Sequence, residues 1–277
     1  MNKSLFFKAI ILSWVSLCCD QLFAQDQALS KRLSTAHAKG ERLPNLSRET
    51  NIDMAGAYDI QASFVKDRLT RDKIAGFKAG LTNESSQAHL GINRPIFGVL
   101  FKSGVLAGKP VISLSSHHNV VVETELGFIT KKPITHNVNS SAELKTYISH
   151  VVPVIELPDI AFVSDKITAQ DLVAGNTGSS AYLIHPNVNW YGQDINGITV
   201  SLMHNGMIVN QGQGIDAMGD QWEALRWLVN QVLAHGWTIE KDYLLITGAL
   251  GEMVEAKPGT YTAQFNDGAT MEVKFKS

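Results

Sequence analysis

Beyond residue 19 the sequence contains no cysteine; its two, Cys18 and Cys19, are adjacent and close to the N-terminus. The rest of the chain therefore has no disulfide framework, no thiolate zinc site and no cysteine nucleophile. Neither sign of charge is in excess, with 24 Lys and Arg against 26 Asp and Glu and a formal net charge of −2. Nothing suggests a polybasic nucleic-acid surface or an acidic disordered tail. No apolar run reaches the roughly 20 residues of a membrane-spanning helix, because Asp20 cuts the first one short. Phosphate-binding loops are missing too. GVLAGKP at 104–110 is too short and ends wrongly for one. The glycines at 212, 214 and 219 follow no strand-to-helix unit of the dinucleotide-binding kind. There is no internal repeat. What remains is 277 residues, 44% hydrophobic, which is ample material for a core.

The first residues, MNKSLFFKAIILSWVSLCCDQLFAQ, place Lys3 and Lys8 before a short apolar stretch and end in Leu22-Phe23-Ala24. This three-part pattern reads as an export signal over 1–24, cleaved after Ala24, with a buried N-terminal helix as the other reading. Leu17 before Cys18 argues against a lipoprotein. Residues 25–50 form a polar N-terminal extension, read as a short helix followed by a loop.

Apolar residues at Ala57, Ile60, Phe64, Val65 and Leu69, behind the N-cap candidate Asp53, predict a helix over 53–69. Short β-like runs follow at 111–114, 119–129, 150–157, 180–184, 198–203, 207–210, 242–247, 260–265 and 270–275. One strong helix interrupts them at 220–236, with Leu225, Leu228, Val229, Val232 and Leu233 on its apolar face and Gly236 as its stop. Asn266-Asp267-Gly268 is a hairpin signal between the last two strands. Many strands and few helices without βαβ alternation predict a single mixed α+β domain.

Within VVVETELGFI (120–129), Glu123 and Glu125 project from one face of the predicted strand, and Val122, Thr124, Leu126 and Phe128 from the other. Two carboxylates so placed repel by about 2–3 kcal/mol at an effective dielectric near 20. Either the face is solvated, with Lys131 and Lys132 as loose partners, or a divalent cation offsets the repulsion. The second reading needs a third ligand. Glu156 is a lone acid in the apolar run VVPVIELPD, readable equally as a strand-end glutamate entering a loop. Lys78 lies between Gly76 and Gly80, where small residues let the backbone approach a ligand, although a solvent-facing lysine fits as well. DLVAGNTGSSAYLI at 171–184 is a turn-rich polar segment between hydrophobics.

In this order the segments resemble the 2-keto-4-pentenoate hydratase/4-oxalocrotonate decarboxylase group of the fumarylacetoacetate hydrolase superfamily. The resemblance rests on GFKAGLTNESSQAHLGINRPIFGVL (76–100), ETELGF (123–128), VIELPD (154–159), AGNTGSS (174–180) and residues 205–265. It implies one catalytic domain over 51–277, a mixed β-roll or sandwich of that superfamily's C-terminal type with peripheral helices. It further implies Mg²⁺ or Mn²⁺ held by Glu123, Glu125 and Glu156, an active-site lysine at Lys78, and substrate contacts from Asn176 and Ser179. A homo-oligomer is also implied.

The implied substrate is a small 2-oxo acid that chelates the metal, which stabilises negative charge on the keto oxygen as an enolate or dienolate forms. Lys78 would add to that stabilisation or relay a proton. Water addition (hydratase) or loss of CO₂ (decarboxylase) follows. Two departures bear on the choice. Ile96, in Pro95-Ile96-Phe97-Gly98, stands where hydratases of the group carry an aspartate, which favours decarboxylase-type or diverged chemistry. His89 or His117-His118 would then be substitute bases, each equally readable as a loop residue. The export signal is the other departure, since the group normally works in the cytoplasm. It predicts a periplasmic protein without a stable membrane span after cleavage, and leaves open an exported oxo-acid binder that has lost catalysis.

Overall fold

The strand that carries Glu123 and Glu125 runs through the middle of the larger of two mixed sheets in a computed structural model, which describes residues 24–277. The proposed export signal lies almost wholly outside these residues. Helix α1 covers 24–38, α2 Met54–Arg68 and α3 Glu84–His89. Three more helices follow: α4 at Ser141–Lys145, α5 at Ala169–Ala174 and α6 at Gln221–Ala234. The larger sheet takes β1 (Ile74–Gly80), β2 (Ile96–Phe101), β3 (Val105–Leu106), β5 (Val121–Thr130), β6 (Ile148–Leu157) and β7 (Ala181–Ile184). It is completed by β10 (Leu244–Ala249) and β11 (Val254–Glu255). Its order is β2-β1-β10-β5-β6-β7-β3, with β11 paired to β5. The smaller sheet, in the order β4-β13-β12-β8-β9, takes β4 (Val111–Ser113), β8 (Thr199–His204), β9 (Met207–Gln213), β12 (Gly259–Phe265) and β13 (Thr270–Lys276). Antiparallel pairs dominate, while β1–β10, β3–β7 and β4–β13 run parallel. The mixed α+β class expected from the sequence is the one observed.

Alternation explains why β5 occupies the centre. Val122, Thr124, Leu126 and Phe128 are all fully buried, and three of them join the main core. Leu225, Leu228, Val229 and Val232 of α6 bury in that same core. The helix starts where Asp220 accepts a hydrogen bond from the Glu223 amide at 2.9 Å. It stops at Gly236, whose φ of +77° fits a left-handed C′ residue. The Asn266-Asp267-Gly268 turn joins β12 to β13, as its sequence predicts.

Two strands absent from the sequence reading flank the site. β1 is rich in glycine and β2 is a short apolar run, and neither shows a period of two. Their pairing is decided by tertiary contact instead. A Cβ on Gly76 would meet the Leu244 carbonyl oxygen at 1.7 Å, so only glycine lets β1 lie against β10 there.

Residues 25–50 do more than their polar composition suggests. Leu29, Leu33 and Ala36, at helical spacing on α1, bury against Phe64 and Ile60 of α2 in a separate small core. Arg32 adds an exposed ion pair with Glu49 at 2.7 Å, worth little by itself. If α1 is integral to the fold, Leu33→Ala leaves a cavity and lowers the free energy of unfolding by about 2–5 kcal/mol. Urea denaturation measures this, and an unchanged midpoint would show that α1 is dispensable.

Candidate active site

The register of β5 against β6 builds the site. Glu123 lies directly opposite Glu156, and Glu125 opposite Val154, so the three carboxylates share one face of an antiparallel pair. One oxygen from each lies within 4.8 Å of the others. Glu125 and Glu156 are fully buried, while Glu123 is half-buried. The solvated-face alternative therefore does not apply, and Lys131 and Lys132 lie over Tyr191 and Tyr147 instead.

Lys78, on β1, is the cation that reaches the cluster. It is 2% exposed, and its Nζ lies 2.6 Å from Glu156 Oε1. That contact partners Glu156 Oε1, whereas Glu156 Oε2 and Glu125 Oε1 have no hydrogen-bond partner. Buried carboxylate oxygens normally find donors. Two unpartnered ones beside the Glu123 carboxylate on one face form a donor set of hard oxygens alone, suited to a divalent cation such as Mg²⁺ or Mn²⁺. With all three carboxylates ionised against one ammonium, two negative charges would be left unbalanced.

The remaining Glu125 oxygen is held by the main chain. Oε2 accepts from the Gly248 amide at 2.7 Å. The pairing of β10 with β5 shifts between Ile246 and Ala249, and this irregularity brings the Gly248 N–H to the carboxylate. Gly248 adopts φ +104°, and a Cβ there would meet Thr82 Oγ1 at 2.2 Å. Glycine is required on both counts.

Burial raises the Glu123 carboxyl to about 7, Lys78 opposing the rise and Glu156 adding to it. Burial also pushes Glu125 well above the usual carboxylate range, reinforced by Glu156 and Glu123 and opposed by Lys78 and the Gly248 amide. For Lys78 burial acts downward, but Glu156, Glu123 and Glu125 together outweigh it and hold the ammonium above its usual value.

Lys78, Glu123 and Glu125 open into a cavity of about 640 Å³ whose wall includes Ile96, Thr82, Thr177 and His89. Ile96 is fully buried. Asn176 and Ser179 are not part of this wall and line a neighbouring cavity of about 250 Å³ together with His117 and His118. Asn176 spends its amide on β2, accepting from the Val99 N–H at 2.7 Å and donating to the Val99 carbonyl at 2.9 Å. From the same segment it is Thr177 that reaches the larger cavity. Asn176, Thr177 and Gly178 have φ of +59°, +54° and +64°, and Thr177 Oγ1 donates to the Phe97 carbonyl at 2.9 Å. Hydrogen bonds to β2 thus offset a backbone conformation that is costly for two non-glycine residues. Gly248, Thr82 and Thr177 escaped the sequence reading. The glycines of AGNTGSS and TGALG were the available signals.

No family profile matches the chain. It is 28% identical over 258 residues to the 2-keto-4-pentenoate hydratase of Paraburkholderia xenovorans (strain LB400), covering 91% of this chain and 96% of that protein. It is 24% identical over 235 residues to the 4-oxalocrotonate decarboxylase of Pseudomonas sp. (strain CF600), covering 84% and 89%. Among solved structures, the 4-oxalocrotonate decarboxylase from Pseudomonas putida G7, complexed with magnesium and adipate, superposes with a TM-score of 0.85. The identity there is 23%, over 91% of this chain and 98% of that one, so this likeness is one of fold. The chain is thus similar to the hydratase and decarboxylase group and has the fold of the fumarylacetoacetate hydrolase superfamily.

Raised carboxyl groups make stability depend on pH. Between the ordinary carboxylate value and about 7, the metal-free folded protein retains protons that the unfolded chain releases. Stability of the metal-free protein therefore falls as pH rises through that window, while Lys78 stays cationic. Glu125→Gln should flatten this fall and raise the melting temperature of the metal-free protein near neutral pH. The same change should weaken Mg²⁺ binding. Thermal melts across pH with chelator, and calorimetric titration with Mg²⁺, read both effects.

Proposed function

We propose that the chain is a divalent-metal-dependent lyase acting on small 2-oxo acids, in the manner of a 2-keto-4-pentenoate hydratase. The observation that carries this reading is the convergence of Glu123, Glu125 and Glu156, with orphaned buried oxygens, beside a buried Lys78 and a cavity of ligand size. These glutamates would hold Mg²⁺ or Mn²⁺, which supplies Lewis-acid stabilisation of negative charge on a substrate keto oxygen.

The protein's own groups do the rest. Lys78 presents a preorganised ammonium at the cavity wall, where it stabilises charge developing on the substrate and carries a proton to or from the enolate. The Gly248 amide fixes the Glu125 carboxylate in one orientation. Thr177, held on β2 through its hydroxyl, forms part of the cavity wall. Asn176 acts by locking the turn that presents it, while Ser179 faces the neighbouring cavity. Apolar residues, Ile96 among them, exclude water from the reacting carbons.

Ile96 supports decarboxylation as the second reading. It is fully buried in that wall and can neither accept nor return a proton, whereas loss of CO₂ needs an electron sink and not a base. Of the substitute bases considered, His89 borders this cavity and His117 and His118 border the other. An exported oxo-acid binder without turnover is the non-enzymatic reading. Mg²⁺-dependent turnover of a 2-hydroxydienoate or a 2-oxo-enedioate separates these readings. By resemblance the protein is a homo-oligomer.

Lys78→Ala should lower the catalytic rate by about 10²- to 10³-fold, the usual loss for one preorganised donor, and disturb Mg²⁺ affinity much less. Ile96→Asp should raise water addition relative to CO₂ release on a substrate open to both. Efficient hydration by the wild type, unchanged in this variant, would assign the proton to another residue.

Export is proposed from the basic start, the short apolar core and Ala24, with the cytoplasm as the alternative. Among the described residues no helix is long and apolar enough to cross a membrane. Protein recovered from the periplasm should begin at Gln25 on N-terminal sequencing. Cytoplasmic material that retains Met1 would refute export.

A further inference from the structure

The cavity is larger and differently charged than a five-carbon oxo acid requires. Its volume of about 640 Å³ lies in the range of about 300–1,000 Å³ typical of sites for drug-sized ligands. Beyond the carboxylate cluster the wall includes Leu81, Leu90, Ile96, Ile160, Ile167 and Leu172. Among the described residues that line it, Lys78 is the one lysine or arginine, and it is already engaged with Glu156. The other titratable groups of the wall outside the cluster are Asp165, Glu252 and His89, two acids against one imidazole. A ligand carboxylate anchored at the metal site uses up the available positive charge. A second carboxylate at the far end would meet apolar surface, the uncharged donors Thr82, Asn83, Ser85 and Ser86, and two acidic side chains, with no further lysine or arginine to balance its charge.

We propose, on the function argued above, that this site selects a 2-oxo acid with a single carboxylate and a bulky, uncharged apolar tail. The tail lies against the leucine and isoleucine wall, and Asp165 and Glu252 turn away dicarboxylates at the cavity mouth, where both are exposed. This is specificity by exclusion as well as by attraction.

The test compares 2-oxohexanoate with 2-oxoadipate, which share a six-carbon chain and differ in a terminal methyl against a carboxylate, and adds 2-oxooctanoate. Each is titrated calorimetrically into the full chain with saturating Mg²⁺ and again with chelator. Expected is Mg²⁺-dependent binding in which 2-oxohexanoate is at least about tenfold tighter than 2-oxoadipate. The octanoate analogue should gain about threefold to fourfold for each further buried methylene. The paired change Asp165→Lys with Glu252→Lys, at exposed positions that leave the core intact, should narrow the gap between 2-oxohexanoate and 2-oxoadipate. Equal or tighter Mg²⁺-dependent binding of 2-oxoadipate overturns this proposal and leaves the lyase reading standing. An unchanged ratio in the double variant overturns the role given to the two acids. Failure of every acid to bind in a Mg²⁺-dependent way overturns the functional reading itself, and this proposal with it.

Discussion

An unbalanced buried charge governs this structure. Glu125 and Glu156 are fully removed from water, Glu123 partly so, and Lys78 is the one cation among the described residues that touches them. Holding an uncompensated ion in a protein interior costs several kcal/mol even after relaxation. A domain has only about 5–15 kcal/mol of net stability from which to bear that cost. Protonation of Glu123 and Glu125 relieves the metal-free state, which is why both carboxyl groups are shifted upward. A divalent cation held there, as proposed, would relieve it more completely, since it would match the residual charge and coordinate the unpartnered oxygens. Metal binding there would couple to fold stability through the same atoms.

The strand register keeps that charge in place. Because side chains alternate along a strand, a one-residue slip of β5 against β6 would turn Glu123 and Glu125 into the core and Leu126 out of it. The main core prevents this: Val122, Leu126 and Phe128 interlock with α6 on the opposite face. The shifted pairing between β5 and β10 then supplies the Gly248 amide at the one point where Glu125 needs a donor. Close approach of Gly76 to Leu244 brings β1 near enough for Lys78 to reach Glu156. Hydrophobic packing on one side of the sheet therefore positions polar chemistry on the other.

What could be read from the sequence follows the same division. β5, β6 and α6 are long and periodic, so their patterns were legible, as was the Asn266-Asp267-Gly268 hairpin. The paired glutamates stood out because they interrupt an apolar run on one face, although that pattern alone fitted a solvated strand face with Lys131 and Lys132 as well. β1 and β2 were hidden, since glycine and uniform burial erase the period of two and their neighbours are remote in sequence. Gly248 and Thr82 matter through a backbone angle and one close contact, neither of which composition encodes. The AGNTGSS segment was recognisable as a site loop. Which of its residues face which cavity depends on three successive left-handed residues, and the fold alone determines that. A short helix within 25–50 was legible, but its buried face of Leu29, Leu33 and Ala36 was not, because polar residues surround it.

Ile96 fits this charge economy. It sits among Ala57, Val173, Leu81 and Leu172, fully buried at the edge of a site that already carries excess negative charge. An aspartate there would add a fourth carboxylate to the same low-dielectric region, with Lys78 already committed to Glu156. Desolvation and like charge would both raise its pKa, so that it would hold a proton near neutrality and exchange it with a bound enolate. Isoleucine supplies no such proton and adds no further charge to the cluster. The same substitution also extends the apolar wall against which an uncharged substrate tail would rest. On the proposed function, the one side chain of Ile96 both withholds a proton carrier and extends the apolar wall of the cavity.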